Sequence, residues 1–279
     1  MRKTMRKSLT AFTLVIFMIL SSVTPIFSDG FTESMGWTMP PFEGQQVIMG
    51  AGGEAHSAAI LADGSLWTWG VNNVGQIGDG TTINRNRPQR IMEDAIFVAL
   101  GSGFTMAIKS DNSLWGWGWL VDGEIVHSPI KIMDDVIYVS AGFRYVMIIK
   151  ADGSLLGWGR NNVGQLGDGT TIDRHSPIKI MDDVKYVSTG LGYFAHTMAI
   201  KGDGSLWGWG YNRHGQIGDG TTIDRHNPVM ISNNVVSVSV GVSHTMAIGS
   251  NGSLWGWGQN GGGSLGDGTT IDRHSPILI

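Results

Sequence analysis

The chain contains no cysteine, which excludes disulfides, a lipid-modified N-terminal cysteine and thiolate metal sites. Stability must come from packing. Apolar residues spaced three and four apart do not occur beyond the first 28 positions, and glycine is too frequent for helices, so a helical solenoid is excluded too. No glycine-rich phosphate loop ending in Gly-Lys and no H-E-x-x-H zinc motif is present, and the many Gly-x-Gly pairs lie inside strand patterns. An enzyme is therefore not expected, nor any cofactor or metal.

Charge is also scarce, at 15% of residues, and its sign changes along the chain. Arg2, Lys3, Arg6 and Lys7 precede an apolar run from Leu9 to Leu20, and a more polar stretch follows to Ser28. This is the tripartite pattern of a secretory signal peptide, expected over residues 1–28 with cleavage after Ser28. The run is too short for a membrane anchor, which needs about 20 apolar residues. Removing the four leader cations from 19 Lys+Arg leaves 15 against 23 acids, a formal charge of −8. Such an acidic chain is a poor match for nucleic acid, whose phosphates demand the opposite sign. A secreted or cell-envelope location with no membrane span after cleavage is expected. Residues 29–46 include Pro40-Pro41 and carry no periodicity, and they read as a linker or strap.

What is abundant is glycine, 42 residues, and tryptophan, 11 residues, both placed in register. The stretch Gly204 to Pro228, G-S-L-W-G-W-G-Y-N-R-H-G-Q-I-G-D-G-T-T-I-D-R-H-N-P, recurs at Gly64–Pro88, Gly153–Pro177 and Gly252–Pro276, and in shortened form at Asn112–Pro129. Anchor serines 65, 113, 154, 205 and 253 stand 48, 41, 51 and 48 residues apart. A period near 48 marks an array or propeller. Within a unit, Val235–Gly241 alternates as a strand, His244–Ile248 forms a second, Asn251-Gly252 makes a tight turn, and Leu254–Gly258 forms a third. A Pro-x-x-Ile strand closes the unit, so the expectation is an all-β propeller of five four-stranded blades over residues 47–279.

Along the third strand, both tryptophans face one way and the glycines the other. Trp207 is accordingly expected to fill an interface between blades. The chain ends at Pro276-Ile277-Leu278-Ile279 and the domain begins at Val47-Ile48-Met49-Gly50. A ring closed by pairing these strands is expected, with an open arc as the alternative, since closure removes exposed edges.

The W-G-x-N-x-x-G-Q-[LI]-G-D-G-T-T run, with G-x-x-H-T-M-A-I upstream, resembles the repeat of the regulator-of-chromosome-condensation family. The resemblance covers Val47 to Ile279, and it implies a propeller of this repeat type, usually of seven blades. It implies that His56, His196 and His244 are structural. It also implies guanine-nucleotide exchange on a small GTPase as one function, which a signal peptide contradicts, and inhibition or adhesion by a secreted binding propeller as others. A glycan-binding module is a third class, suggested by the tryptophan content.

Positions shared by every unit are explained by architecture, so function is sought where units differ. The aspartates of G-D-G-T-T, Asp79, Asp168, Asp219 and Asp267, lack the ligand spacing of a calcium loop and read as turn formers. The loop before the second strand varies most, and it brings Phe104, Phe143, Arg144, Tyr145, Tyr193 and Phe194 to one end of neighbouring blades. Aromatic residues with arginine are frequent interface anchors. Phe104 and Tyr145 also fit a second reading, as substitutes for a buried histidine. The second unit lacks the G-Q-I-G-D-G-T-T loop, leaving a notch from Trp119 to Glu124 that could seat a partner. The expected protein is thus a monomer that binds a protein partner through one end.

Overall fold

The computed structural model describes Phe42 and residues 44–279. The expected signal segment and most of the strap lie outside those residues. Twenty strands form five antiparallel sheets, each of four strands consecutive in sequence. Blade 1 is β1 (Val47–Gly52), β2 (His56–Leu61), β3 (Leu66–Gly70) and β4 (Arg85–Met92); blade 2 is β5 (Ala95–Leu100), β6 (Phe104–Lys109), β7 (Leu114–Trp119) and β8 (Ile125–Met133). Blade 3 is β9 (Val136–Ala141), β10 (Tyr145–Lys150), β11 (Leu155–Gly159) and β12 (Arg174–Met181). Blade 4 is β13 (Val184–Thr189), β14 (His196–Lys201), β15 (Leu206–Gly210) and β16 (Arg225–Ser232). Blade 5 is β17 (Val235–Val240), β18 (His244–Gly249), β19 (Leu254–Gly258) and β20 (Arg273–Leu278).

Successive blades meet through their inner strands, β2 on β5, β6 on β9, β10 on β13 and β14 on β17. The expected pairing of first and last strands is not seen among the described residues, where β1 is hydrogen-bonded to β2 and β20 to β19. Each blade draws all four strands from its own stretch of chain, so no exchange between the ends is needed to complete a sheet. No comparable packing joins blade 5 to blade 1 among the described residues. The outer face of blade 5 shows the consequence: Ile248 and Leu254 are 40% and 39% exposed, whereas Ile200 and Leu206, their counterparts in blade 4, are 5% and 0%. At the other end Phe42 lies edge-on to Trp67, with ring centroids 5.5 Å apart, and is 6.4 Å from Trp69.

The two tryptophans of a third strand turn out unequal. Trp117, Trp209 and Trp257, the second of the pair in blades 2, 4 and 5, are fully buried, while Trp69 of blade 1 and the first tryptophans are half-buried, Trp207 among them, which corrects its expected place at the centre of a junction. Each of these three buried tryptophans reaches back to the long loop of the preceding blade, where Trp117 Nε1 donates to the Gln76 carbonyl, Trp209 Nε1 to that of Gln165 and Trp257 Nε1 to that of Gln216 (2.9–3.0 Å). The ring lies on a loop glycine. At Gly78 a Cβ would come within 2.6 Å of Trp117 Nε1, and φ is +84°, so both the space and the backbone require glycine.

The G-D-G-T-T turn holds that loop in shape. Asn212 Nδ2 donates to Asp219 Oδ1 and to the carbonyls of Thr221 and Ile223, while Asn212 Oδ1 accepts from Ile217 N–H. Asp219 also accepts from Thr221 N–H and Oγ1 and pairs with Arg225 at 2.5 Å. Burial pushes the Asp219 carboxyl upward, but the Arg225 and Thr221 hydrogen bonds outweigh it and hold the pKa below the ordinary value. The same contacts recur at Asp79, Asp168 and Asp267. The aspartate is a turn former, as the sequence implied.

Trp209→Ala empties a filled junction and removes a buried donor, so it should cost about 3–5 kcal/mol in urea unfolding. Trp207→Ala should cost less. Equal losses, or the reverse order, would contradict the assignment of the second tryptophan as the anchor.

Candidate functional site at the aromatic end of the blades

The loops joining first to second strands, and the residues just after each third strand, lie at one end of the molecule. They are tied together by backbone bonds: the N–H groups of Trp119, Arg160 and Tyr211 donate to the carbonyls of Gly103, Arg144 and Ala195 (2.8–3.0 Å). In the loop before β14, six residues, Gly190–Ala195, stand where the other blades have three. The extra length carries Leu191, Tyr193 and Phe194 out of the sheet, leaving Tyr193 and Phe194 54% and 48% exposed.

These residues form a row across blades 2, 3 and 4. The Arg144 guanidinium lies 3.4 Å from the Trp119 ring centroid, and that of Arg160 lies 3.3 Å from Tyr193 and 5.6 Å from Phe143. Phe143 meets Tyr193 at 5.6 Å, Tyr193 meets Phe194 edge-on at 5.0 Å, and Phe194 stacks on Tyr211 at 5.1 Å. Each arginine is thereby held flat on an aromatic face, a contact of about 0.5–1 kcal/mol at an exposed position. Arg160 Nε also donates to Asn162 Oδ1 at 2.8 Å, which fixes its direction. Arg144 has φ +58°, and among the described residues it is the one left-handed residue that is not Gly, Asn or Asp. Gly103 fills the equivalent position in blade 2 with φ +98°. An arginine held there carries backbone strain of about 1–3 kcal/mol, the kind that surrounding structure tolerates at functional loops.

Five of the seven residues singled out in the sequence, Trp119, Phe143, Arg144, Tyr193 and Phe194, come together in this row. Phe104 and Tyr145 do not. Both are fully buried, which removes them from the candidate surface and bears out the second reading of them. Arg160 and Tyr211 were missed. They occupy the x of W-G-x-N, which reads Val71, Trp119, Arg160, Tyr211 and Gln259 down the repeats, and that variability was the available signal. The notch is partly filled as well: Leu120, 3% exposed, takes the buried place of Ile77, Leu166 and Ile217. Only Trp119 and the residues after Leu120 remain outside.

The burial of Phe104 and Tyr145 exposes a rule. At the junction of blades 1 and 2, Thr105 Oγ1 donates to the Gln76 carbonyl and is 2.9 Å from His56 Nε2. The hydroxyl's one proton is spent on Gln76, so Nε2–H of a neutral His56 is the donor to Thr105. His196, Thr245 and Gln216 repeat this between blades 4 and 5, and between blades 3 and 4 the Tyr145 hydroxyl replaces the imidazole against Thr197. Between blades 2 and 3 the loop that would offer the glutamine carbonyl is gone. There the threonine is Val146 and the histidine is Phe104, both buried in one apolar cluster. Burial lowers the His56 pKa to about 4, and burial followed by the His244 charge lowers that of His196 to about 3. Their Nδ1 atoms are buried without a partner.

No group of three or more His, Asp or Glu side chains is arranged to hold a metal ion among the described residues. The G-x-S-x-G spacing occurs once, at 262–266, but Ser264 lies in a repeat loop after a strand and its Oγ donates to the Gln259 carbonyl at 2.8 Å. It is no strand-to-helix elbow.

Radially repeated four-stranded antiparallel blades, joined by tryptophans and with a variable loop surface at one end, define a propeller-type repeat protein. The chain belongs to the RCC1-like domain family, whose model matches residues 37–279. It is 33% identical over 208 residues to the ultraviolet-B receptor UVR8 of Arabidopsis thaliana, a match covering 72% of this chain and 38% of that protein. Human WBSCR16 superposes with a TM-score of 0.72 at 25% identity, covering 84% of this chain and 67% of that one. Yeast RCC1 (Prp20), from a structure with Kap60 bound, superposes with a TM-score of 0.74 at 18% identity, covering 85% and 62%. The chain thus spans well under half the length of UVR8.

The histidines make stability depend on acid. The unfolded chain takes up a proton near pH 6.5, whereas folded His56 resists it down to about pH 4. Stability is therefore complete above about pH 6.5 and is lost as pH falls, on the order of 3 kcal/mol from this group. His56→Tyr, copying the Tyr145 junction, should keep neutral-pH stability within about 1 kcal/mol and flatten the dependence of melting temperature on pH between 6.5 and 4. An unchanged acid slope would show that His56 does not bury as the neutral form.

Proposed function

We propose that this protein is an exported, non-enzymatic binding propeller that receives a protein partner on the row running from Trp119 to Tyr211. The observation that carries the reading is the row itself. Aromatic rings and arginines, exposed or half-buried and held by one another, lose little conformational freedom on binding and are the residue types that dominate interface energetics. The rest of the end surface offers matching apolar area, with Leu191 and Val242 44% and 63% exposed.

The leader pattern of residues 1–28 supports export, and it sits poorly with exchange on a cytoplasmic GTPase. One solved relative, Prp20p of Saccharomyces cerevisiae, is described with its binding properties to Gsp1p and histones. That property belongs to that protein. Tryptophan abundance gives little support to a carbohydrate face, since Trp117, Trp158, Trp209 and Trp257 are buried.

Affinity capture from envelope and culture-medium fractions, with mass spectrometry, should identify the partner. N-terminal sequencing of the exported protein should read from near Asp29. Tyr193→Ala and Phe194→Ala should each weaken capture by about 1–2 kcal/mol with the melting temperature nearly unchanged. Arg144→Glu and Arg160→Glu should weaken it more at low salt than at high salt, because ions screen the attraction. Full capture by all four variants would send the search to another face.

A further inference from the structure

The outer corner between blades 4 and 5 differs from the three corresponding corners before it. Between blades 1 and 2 the corner holds Glu93-Asp94, Lys109 and Asp111; between blades 2 and 3, Asp134-Asp135, Lys150 and Asp152; between blades 3 and 4, Asp182-Asp183, Lys201 and Asp203. In those corners the lysine lies in the cleft. Lys109 Nζ is 5.7 Å from the Trp115 ring centroid and 3.7 Å from Asp94, Lys150 is 3.8 Å from Asp135, and Lys201 is 6.0 Å from the Trp207 ring.

Between blades 4 and 5 every one of these charges is gone. The acidic pair is Asn233-Asn234, the turn aspartate is Asn251, and the lysine is Gly249. Where the lysine would lie, over Trp255, there is a cavity of about 420 Å³ with no charged residue in its lining. That volume falls in the range of small-molecule sites, about 300–1,000 Å³. Its rim carries Asn233, Asn234, Asn251 and Ser253. The side chains of Asn233 and Asn234 make no hydrogen bond to the protein among the described residues, whereas Asn251 Oδ1 accepts from Ser253 N–H and Oγ. The Trp255 indole N–H is fixed on Ser253 Oγ at 2.8 Å, which holds the ring in place.

We infer that this corner is a binding site for a neutral saccharide, with a pyranose ring laid on Trp255 and its hydroxyls paired to the rim amides. Each free amide offers a donor and an acceptor side by side, the pairing that adjacent sugar hydroxyls return. A fixed aromatic face accepts the apolar C–H side of a sugar ring. The loss of both signs of charge at one corner removes the lysine that lies over Trp115 and Trp207 in two of the other corners and selects against ionic ligands. The site is separate from the aromatic row and does not depend on it.

Saturation-transfer NMR on the full-length protein with cellotetraose, maltotetraose and N-acetylchitotetraose tests the assignment. At least one should bind in the millimolar range or tighter, with transfer concentrated on ring C–H protons. Gly249→Lys restores the covering side chain and should weaken binding about tenfold or more. A Cβ at Gly249 meets Ser253 Oγ at 2.9 Å and Asn251 Oδ1 at 3.0 Å, so both must swing aside. The surface variant Asn233→Asp, Asn234→Asp, Asn251→Asp avoids that crowding and should weaken binding as well. Tyr193→Ala should leave it unchanged. No transfer to any of the three sugars, or binding that survives both corner variants, overturns the inference.

Discussion

A single carbonyl at each full junction, that of Gln76, Gln165 or Gln216, accepts two hydrogen bonds from the following blade, one from a buried indole and one from a threonine hydroxyl. The rest of the architecture depends on it. The carbonyl is presented by the long loop, the loop is held by the Asn and Asp network of G-D-G-T-T, and the threonine passes its remaining acceptor capacity to a histidine or tyrosine of the blade before. Unsatisfied, any of these buried groups would cost about 1–3 kcal/mol, so the set is retained or lost as a unit. Blade stacking therefore gains direction from polar contacts and energy from the buried tryptophan.

The repeat made much of this legible. Strand bounds, blade number and the turn role of Asp219 follow from alternation, Asn-Gly and Asp-Gly turns, and in-register glycines. Which tryptophan anchors a junction did not follow, because period two puts Trp207 and Trp209 on one face without saying which lies nearer the neighbouring loop. Nor did the fate of the ends, since strand complementarity between Val47 and Ile277 is satisfied equally well inside each local sheet.

For the candidate surface, searching where the units differ found five members of the row and falsely included two. Phe104 varies because its junction partner does, Val146 standing where the other junctions have threonine, and Tyr145 varies although its partner is the usual threonine, Thr197, because its hydroxyl substitutes for the imidazole; neither faces solvent. Arg160 and Tyr211 escaped notice because they lie inside the most constant motif of the chain. Variation alone does not separate a surface residue from a co-adapted buried one.

The apolar junction between blades 2 and 3 bears on how such arrays diversify. Phe104, Val146 and the shortened loop come from three separate places in the sequence and two different blades, yet they make sense only together. A blade carries half of the contact before it and half of the contact after it, so a blade of the common type placed on either side of this apolar junction would mismatch it. The set of residues that must match one another is therefore a seam between two blades, which no single blade contains.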